Sequence, residues 1–288
     1  MATIIIPAHN EATVIGRTLE ALADGQLRED THVVVAANGC TDDTMGIARG
    51  FADRLRITVL DLPVASKQAA LNGADDFLFG DDRQENFPRI YLDADVVVPA
   101  ASVNRVVEVL ESGRVLAARP PLEYQTQAAD PLVKAFYRAR SRTPEVLNTL
   151  WGAGFYAVSA AGRGRWGSFP LEAPDDLFVD ALFDGSEKTV VDAAPVRVQV
   201  PRSSAALLKT LKRVYRPSEA VQAVDEAAQS SSGNTLVSLL RANTSKPADL
   251  LDALSYIGFA AGARAALKLD GASKGHSGEA WERDSSTR

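Results

Sequence analysis

The first half of the chain alternates short apolar runs with segments whose apolar residues recur at helical spacing. Thr3–Ile6 is β-branched and apolar and is predicted to be a strand ending at Pro7. Glu11 to Asp24 places Val14, Ile15, Leu19 and Leu22 on one helical face. His32–Ala37 reads as the next strand, closed by the turn-prone Asn38-Gly39. Thr41 is placed to cap the following helix, with Asp42 and Asp43 at its positive end. Ile57–Leu60, a helix from about Lys67 to Phe79, and strand Arg89–Leu92 continue the alternation. This order predicts an α/β fold with a mostly parallel, Rossmann-like sheet flanked by helices.

The second half is less regular. Val115–Ala118, Gly154–Ser159, Thr189–Asp192 and Val196–Val200 read as strands, and Asp130–Arg142 as a helix. From about Ser203 the spacing of Leu207, Leu208, Leu211 and Val214 turns helical, as do Leu236–Leu240 and Leu250–Leu269. Ser230-Ser231-Ser232-Gly233-Asn234 has the composition of a flexible connector. The polar stretch from Gly271 to Arg288 reads as a disordered tail. The expected organisation is a catalytic domain over 1–200, divided near 98 into a nucleotide-binding and an acceptor half. A helical C-terminal appendage over 201–270 and the 271–288 tail follow.

Sheets of this kind bind ligands beyond the carboxyl ends of their strands. Three polar clusters fall at those ends: Pro7-Ala8-His9-Asn10-Glu11, Asn38-Gly39-Cys40-Thr41-Asp42-Asp43 and Asp93-Ala94-Asp95. The last follows the apolar run from Ile90. Read as a continuing strand, it would point both carboxylates to one face and form a site for a divalent cation with oxygen ligands. The plainer alternative is a solvated strand end.

Composition narrows the class. The chain has 288 residues, 46% hydrophobic and 24% charged, as in ordinary soluble globular proteins. A net charge of −6 argues against a nucleic-acid footprint. The single Cys40 rules out an internal disulfide and suits a cytoplasmic setting. The N-terminus lacks the features of a signal peptide, and Asp252, Arg264 and Lys268 interrupt the most apolar segment, Leu250–Leu269. The expectation is a soluble cytoplasmic protein. Packing of 250–269 within the protein or in a homodimer is favoured, with peripheral contact at the inner membrane face as the alternative.

Further motifs complete a pattern. The runs Ile4-Ile5-Ile6-Pro7-Ala8-His9-Asn10-Glu11, Asn38-Gly39-Cys40-Thr41-Asp42-Asp43-Thr44, Ser66-Lys67-Gln68-Ala69-Ala70-Leu71-Asn72 and Asp93-Ala94-Asp95 occur in order. Gly152-Ala153-Gly154-Phe155 and Pro174-Asp175-Asp176-Leu177 follow. Together they resemble the family 2 glycosyltransferases of GT-A fold, over roughly residues 2–200.

The resemblance implies transfer of a sugar from a nucleoside-diphosphate sugar to an acceptor hydroxyl, with inversion and a divalent cation, Mn2+ or Mg2+. On that reading Asp95 ligates the metal, and Asp93 contacts the ribose or the metal's water shell. Pro7, Ala8, Asn10, Glu11 and Asn38 hold the nucleoside, Lys67 lies near the nucleotide, and Asp176 is the general base, with Asp180 as runner-up. Trp151, Gly152, Gly154 and Asp175 are assigned to the acceptor side. Arg213 and Arg216 are candidates for the diphosphate, against the alternative of a solvated basic face. His9 is expected to shape its loop, and Cys40 to be incidental.

Two departures from the family pattern bear on substrate. Ala37 stands where many relatives carry an acidic residue that contacts uridine, which leaves the nucleotide open: a UDP-sugar stays the first choice despite this departure, with GDP- and dTDP-sugars as alternatives. Lys209 to Arg216 only loosely echoes the Gln-x-x-Arg-Trp element of processive synthases, which favours a non-processive enzyme. A retaining GT-A enzyme and a non-catalytic sugar-nucleotide-binding protein are the competing readings. A Gly-rich phosphate loop after the first strand, expected of a nucleotidyltransferase or a dehydrogenase, is missing.

Overall fold

The computed structural model describes residues 1–79, 86–143, 147–215, 239, 241–243 and 246–271. In chain order the elements begin β1 (Thr3–Ala8), α1 (Ile15–Ala23), β2 (His32–Asn38), α2 (Thr44–Arg49), β3 (Ile57–Leu62), α3 (Lys67–Phe79) and β4 (Arg89–Leu92). They continue α4 (Ala100–Glu111), β5 (Ala117–Arg119), β6 (Leu122–Gln125), α5 (Pro131–Arg140), β7 (Phe155–Val158), α6 (Ala160–Arg163) and α7 (Asp175–Ala181). β8 (Lys188–Val190), β9 (Val196–Gln199), α8 (Ser204–Tyr215) and α9 (Pro247–Gly271) complete the described chain. The chain divides into two compact units, Met1–Glu123 with Thr149–Val198, and Tyr124–Asn148 with Gln199–Arg288.

The first unit is built on a seven-stranded sheet of order β3-β2-β1-β4-β7-β5-β8. The β1–β2, β1–β4, β2–β3 and β5–β8 pairs are parallel, whereas β7 runs antiparallel to both of its neighbours, β4 and β5. Side chains of a strand alternate between faces, and both faces here are covered. Ile4, Ile6, Val33, Val35, Ile90 and Leu92 pack with Ile15, Leu19 and Leu22 of α1 and Val103, Val106 and Leu110 of α4. Ile5, Val34, Tyr91 and Tyr156 pack on the other side with Leu71, Ala74 and Leu78 of α3, and with Trp166 and Phe169.

Several elements differ from their expected bounds. β1 does not stop at Pro7 but continues to Ala8, with Pro7 and Ala8 in register with Ala36 and Ala37. Thr3 donates its N–H to Pro88 on the β4 side. Pro7, four residues on, faces that same side, past the last β1–β4 pair at Ile5 and Tyr91. Its missing N–H therefore costs no ladder bond. α1 begins at Ile15 rather than Glu11. α2 begins at Thr44, and its entry is set by Asp42, whose Oδ1 accepts the Thr44 N–H at 3.1 Å, rather than by Thr41. α4, not anticipated above, buries Val103, Val106, Val107 and Leu110.

β4 ends at Leu92, so Asp93-Ala94-Asp95 is not a strand continuation but a turn, in which the Val96 N–H donates to the Asp93 carbonyl at 3.1 Å. Strand alternation therefore does not aim these two carboxylates. Asp93 is half-buried and Asp95 is exposed.

In the second unit, Val133 and Phe136 of α5, Leu207 and Leu211 of α8, and Ala263 of α9 share one core. Phe136 stacks on Tyr256 with ring centroids 4.8 Å apart. The buried Asp252 of α9 is paired with Arg138 at 2.6 Å and Arg142 at 3.0 Å. By length and composition alone α9 could cross a membrane over Asp249–Leu269. Arg213 lies in the last turn of α8. Arg216, the Ser230–Asn234 connector and the tail beyond Gly271 lie outside the described residues, as does most of Leu236–Leu240.

Candidate active site

The loops after β1 and β2 are tied together by side-chain acceptors. Asn10, at a φ of 52°, occupies the left-handed region that asparagine tolerates better than most residues. Its Oδ1 accepts the Thr41 N–H at 2.6 Å, the Asp42 N–H at 3.2 Å and the Thr41 hydroxyl at 3.2 Å. The Glu11 N–H donates to Thr44 Oγ1 at 2.7 Å, and the Ala12 N–H to Asp42 Oδ2 at 3.1 Å. His9 Nδ1 lies 2.6 Å from the Asn38 carbonyl oxygen, a loop-shaping contact. Cys40 Sγ lies 3.4 Å from the Ala8 carbonyl oxygen. The Asn38 side chain is different. It is fully buried, and neither Oδ1 nor Nδ2 has a hydrogen-bond partner.

An acidic cluster forms around one ammonium. Lys67 is the first residue of α3, and its Nζ lies 2.7 Å from Asp93 Oδ1 and 2.8 Å from Asp175 Oδ1. Asp175, 4% exposed, accepts the Tyr156 hydroxyl at 3.0 Å through Oδ2. The next carboxylate, Asp176, accepts the Gly152 N–H at 2.9 Å through Oδ2 and the Leu177 N–H at 2.8 Å through Oδ1. The structure thus brings Lys67, Asp93, Gly152, Asp175 and Asp176 together. Tyr156, which sequence reasoning passed over, joins them from β7 two residues beyond Gly154.

The electrostatics follow from burial and crowding. Burial, followed by the neighbouring Asp175 charge, pushes the Asp176 carboxyl up to about 6, against the opposing pull of Lys67 and the Gly152 N–H. Burial alone would lower the Lys67 ammonium, but Asp175, Asp93 and Asp176 together outweigh it and hold the group above its ordinary value. Burial, with Asp175 beside it, keeps the Tyr156 hydroxyl well above the usual tyrosine range and hence protonated. Asp180 is engaged elsewhere, accepting the Leu150 N–H at 2.7 Å and pairing with Lys188 at 2.8 Å.

Two glycines shape the wall. Gly152 has a φ of 80° and Gly154 a φ of 62°. A Cβ on Gly154 would meet Val96 Cγ2 at 2.5 Å and Asp93 Oδ2 at 3.0 Å. The Gly154 carbonyl accepts the Asp93 N–H at 2.9 Å, so this backbone positions the first acidic residue of the turn. Trp151, adjoining Gly152, is half-buried.

Among the described residues, no three His, Cys, Asp or Glu side chains form a metal-holding group. The Asp93-Ala94-Asp95 turn nevertheless offers hard carboxylate oxygens, and one Asp93 oxygen is already neutralised by Lys67. Asp95, exposed at the turn, fits Mg2+ or Mn2+, ions that take few protein ligands and complete their shells with phosphate oxygens and water.

Residues 3–163, more than half of the sequence, match the family described as glycosyl transferase family 2. The chain belongs to that family. Among curated proteins, a validoxylamine A glucosyltransferase of Streptomyces hygroscopicus subsp. jinggangensis (strain 5008) is 41% identical over 58 residues. That stretch spans 20% of this chain and only 14% of the glucosyltransferase. Among solved structures, the Pyrobaculum calidifontis mannosyltransferase PcManGT, in complex with GDP-Man and Mn2+, superposes with a TM-score of 0.57 at 18% identity. It covers 96% of this chain and 76% of its own. The S. aureus protein TarS, residues 1–349 with UDP, gives a TM-score of 0.54 at 15% identity, covering 92% and 91% of the two chains. These likenesses place the family 2 chain in the GT-A fold.

Proposed function

We propose that this family 2 protein is a non-processive, inverting glycosyltransferase that moves a sugar from a nucleoside-diphosphate sugar to an acceptor hydroxyl, with Asp176 as general base. The observation that carries this reading is the environment of Asp176. Half-buried beside Asp175 and fixed by the Gly152 N–H, its carboxyl is pushed up to about 6, near the operating pH that suits a proton acceptor. In the reaction, the acceptor oxygen forms its bond to the sugar's anomeric carbon as the bond from that carbon to the diphosphate oxygen breaks. The hydroxyl proton passes to Asp176, and the bonding electron pair leaves with the diphosphate.

The chain's other residues prepare that step. The interlocked Pro7–Glu11 and Asn38–Thr44 loops hold the nucleoside. The orphaned Asn38 amide supports a bound group there, since an unsatisfied buried polar group costs about 1–3 kcal/mol. Lys67 fixes Asp93 on the donor side and Asp175 on the acceptor side with a single ammonium. Asp95, with Asp93 beside it, would hold the divalent cation, which neutralises charge on the departing diphosphate. Tyr156 keeps Asp175 in place by donating to it.

UDP-sugar is the first choice of donor, with GDP-sugar next. A TarS structure contains UDP and the PcManGT structure GDP-Man with Mn2+. A thermal-shift panel of UDP-, GDP- and dTDP-sugars with and without manganese tests this. One nucleotide class should raise the melting temperature only when the metal is present. No shift with any donor would sink the proposal. Donor binding without turnover, unchanged by Asp176→Asn, would favour a non-catalytic sugar-nucleotide-binding protein instead.

A further inference from the structure

The second unit carries an exposed apolar row along one helix. α9 turns Ala260, Ala263 and the paired Asp252 inward, toward α5 and α8. On its opposite side Leu251, Leu254, Gly258, Ala261, Ala265 and Leu269 recur three or four residues apart, and all six are exposed. The row holds no charged residue and runs about 27 Å at the usual helical rise. Leu251 is 67% exposed, Leu254 56% and the adjoining Leu250 46%. Leu132 of α5, 58% exposed, is held alongside by the Ser255 hydroxyl, which donates to the Leu132 carbonyl at 2.9 Å. Soluble proteins seldom leave such a run of large apolar groups in water unless it meets a partner.

Charge says what kind of partner. Lys and Arg outnumber Asp and Glu by 16 to 11 in the second unit, whereas acids outnumber bases by 26 to 15 in the first. The overall charge of −6 therefore conceals a basic unit. An anionic surface attracts that unit and repels the other.

Some of the basic groups border the apolar row itself. Lys246 stands one residue before α9, and Arg264 and Lys268 lie one turn apart within it, all three exposed. Arg264 and Lys268 follow Ala261 and Ala265 by three residues each, which puts both along one margin of the row. Arg264 also lies over the Tyr215 ring, 4.3 Å from its centroid, a contact that brings no counter-charge. The acids at the start of α9 are engaged elsewhere, Asp249 with Arg142 and Asp252 with Arg138 and Arg142.

We propose that this face of α9, with Leu132 beside it, docks flat on an anionic lipid bilayer. The leucines enter the boundary between headgroups and acyl chains, and Lys246, Arg264 and Lys268 meet the headgroup phosphates. A spanning pose would strip Asp252 of Arg138 and Arg142 and carry its charge into hydrocarbon, so the helix stays at the interface. A second copy fits this face less well, because a two-fold pairing brings two basic units together. The inference is independent of the transfer chemistry proposed above.

The test is co-sedimentation of the full chain with vesicles of phosphatidylcholine, alone or with about a third phosphatidylserine, at about 0.1 M salt. Binding should be at least about tenfold tighter to the anionic vesicles, and should weaken at least about tenfold at about 1 M salt, where charge is screened. Two double variants at exposed positions separate the parts of the surface. Each base near such a surface contributes about fivefold, so Lys246→Gln with Lys268→Gln should lose about 25-fold. Leu251→Gln with Leu254→Gln should lose at least about tenfold. Both variants should melt as the wild type does, which ties the loss to contact rather than to folding. No binding to anionic vesicles, equal binding to neutral ones, or indifference to either variant would overturn the proposal. Retention after an alkaline carbonate wash, as a spanning helix would show, would overturn it too, and so would a leucine-dependent dimer without vesicle binding.

Discussion

Asp176 accepts the Gly152 N–H at 2.9 Å, which joins the proposed base to the loop assigned to the acceptor side. Because Gly152 sits at a φ of 80°, the loop presents its N–H from a conformation that few other residues adopt. The carboxyl of Asp176 is thereby oriented before any substrate binds. Asp176→Asn keeps the shape and removes the basicity. Turnover should fall about 10²–10⁴-fold, the usual weight of a general base. Donor affinity by calorimetry should stay within a factor of about two, well below the tenfold that 1.4 kcal/mol represents.

The raised carboxyl makes a pH prediction. The base works ionised, so kcat/KM should rise with pH through about 6 and level off above it. Stability should run the other way. Between the ordinary value of 3.8 and about 6, the native state holds a proton that the unfolded chain has lost. That contribution to stability, full at low pH, is lost as pH rises through this window. Melting curves of wild type and Asp176→Asn across pH 4–6.5 check this, and the wild type should lose more on the way up.

Removing the shared ammonium has two readouts. Lys67→Met leaves the buried Asp175 without its cation and should cost about 1–3 kcal/mol in urea denaturation. Since Lys67 lowers the Asp176 carboxyl, its loss should also move the acid limb of the kcat/KM profile to higher pH. An unmoved limb would disconnect Lys67 from the base.

Gly154→Ala tests the wall beneath Asp93. The new methyl would meet Val96 Cγ2 at 2.5 Å from a φ of 62°. Overpacking of this kind costs about 1–3 kcal/mol, read as a lower denaturation midpoint. The displacement should also weaken donor binding, because Gly154 holds the Asp93 N–H.

Asp95→Asn should abolish the manganese-dependent part of the donor thermal shift and leave any metal-independent part intact. Wild-type manganese dependence in this variant would move the cation elsewhere.

Much of the first unit's order was legible because strands buried on both faces read as continuous apolar runs. Arg89–Leu92 came out at its observed bounds for this reason, and helix Lys67–Phe79 did so through the helical spacing of Ala70, Leu71, Ala74 and Leu78. The fate of Asp93-Ala94-Asp95 was not legible. β4 pairs with β7 only as far as Leu92 and Phe155, and the Gly154 carbonyl then takes the Asp93 N–H. The strand's end is therefore decided by residues sixty positions away. Val103, Val106, Val107 and Leu110 carried the signal for α4, but the apolar Val96–Val98 run just before it blurs its start. Asp175 and Asp176 could be placed in one motif, yet their division between Lys67 and Gly152 is a property of the folded pair. Tyr156 looked like any strand aromatic until its hydroxyl was seen on Asp175.

The antiparallel β7 has a consequence for biosynthesis. It is the strand between β4 and β5, and it is made only after residues 124–148, which belong to the other unit. A nascent chain that has emerged only as far as residue 148 carries β1–β4 with the outer side of β4 unpaired. Such a bare margin invites association with other chains. Ribosomal pausing within that stretch, or truncation before Phe155, should therefore leave a species that depends on chaperones to stay in solution.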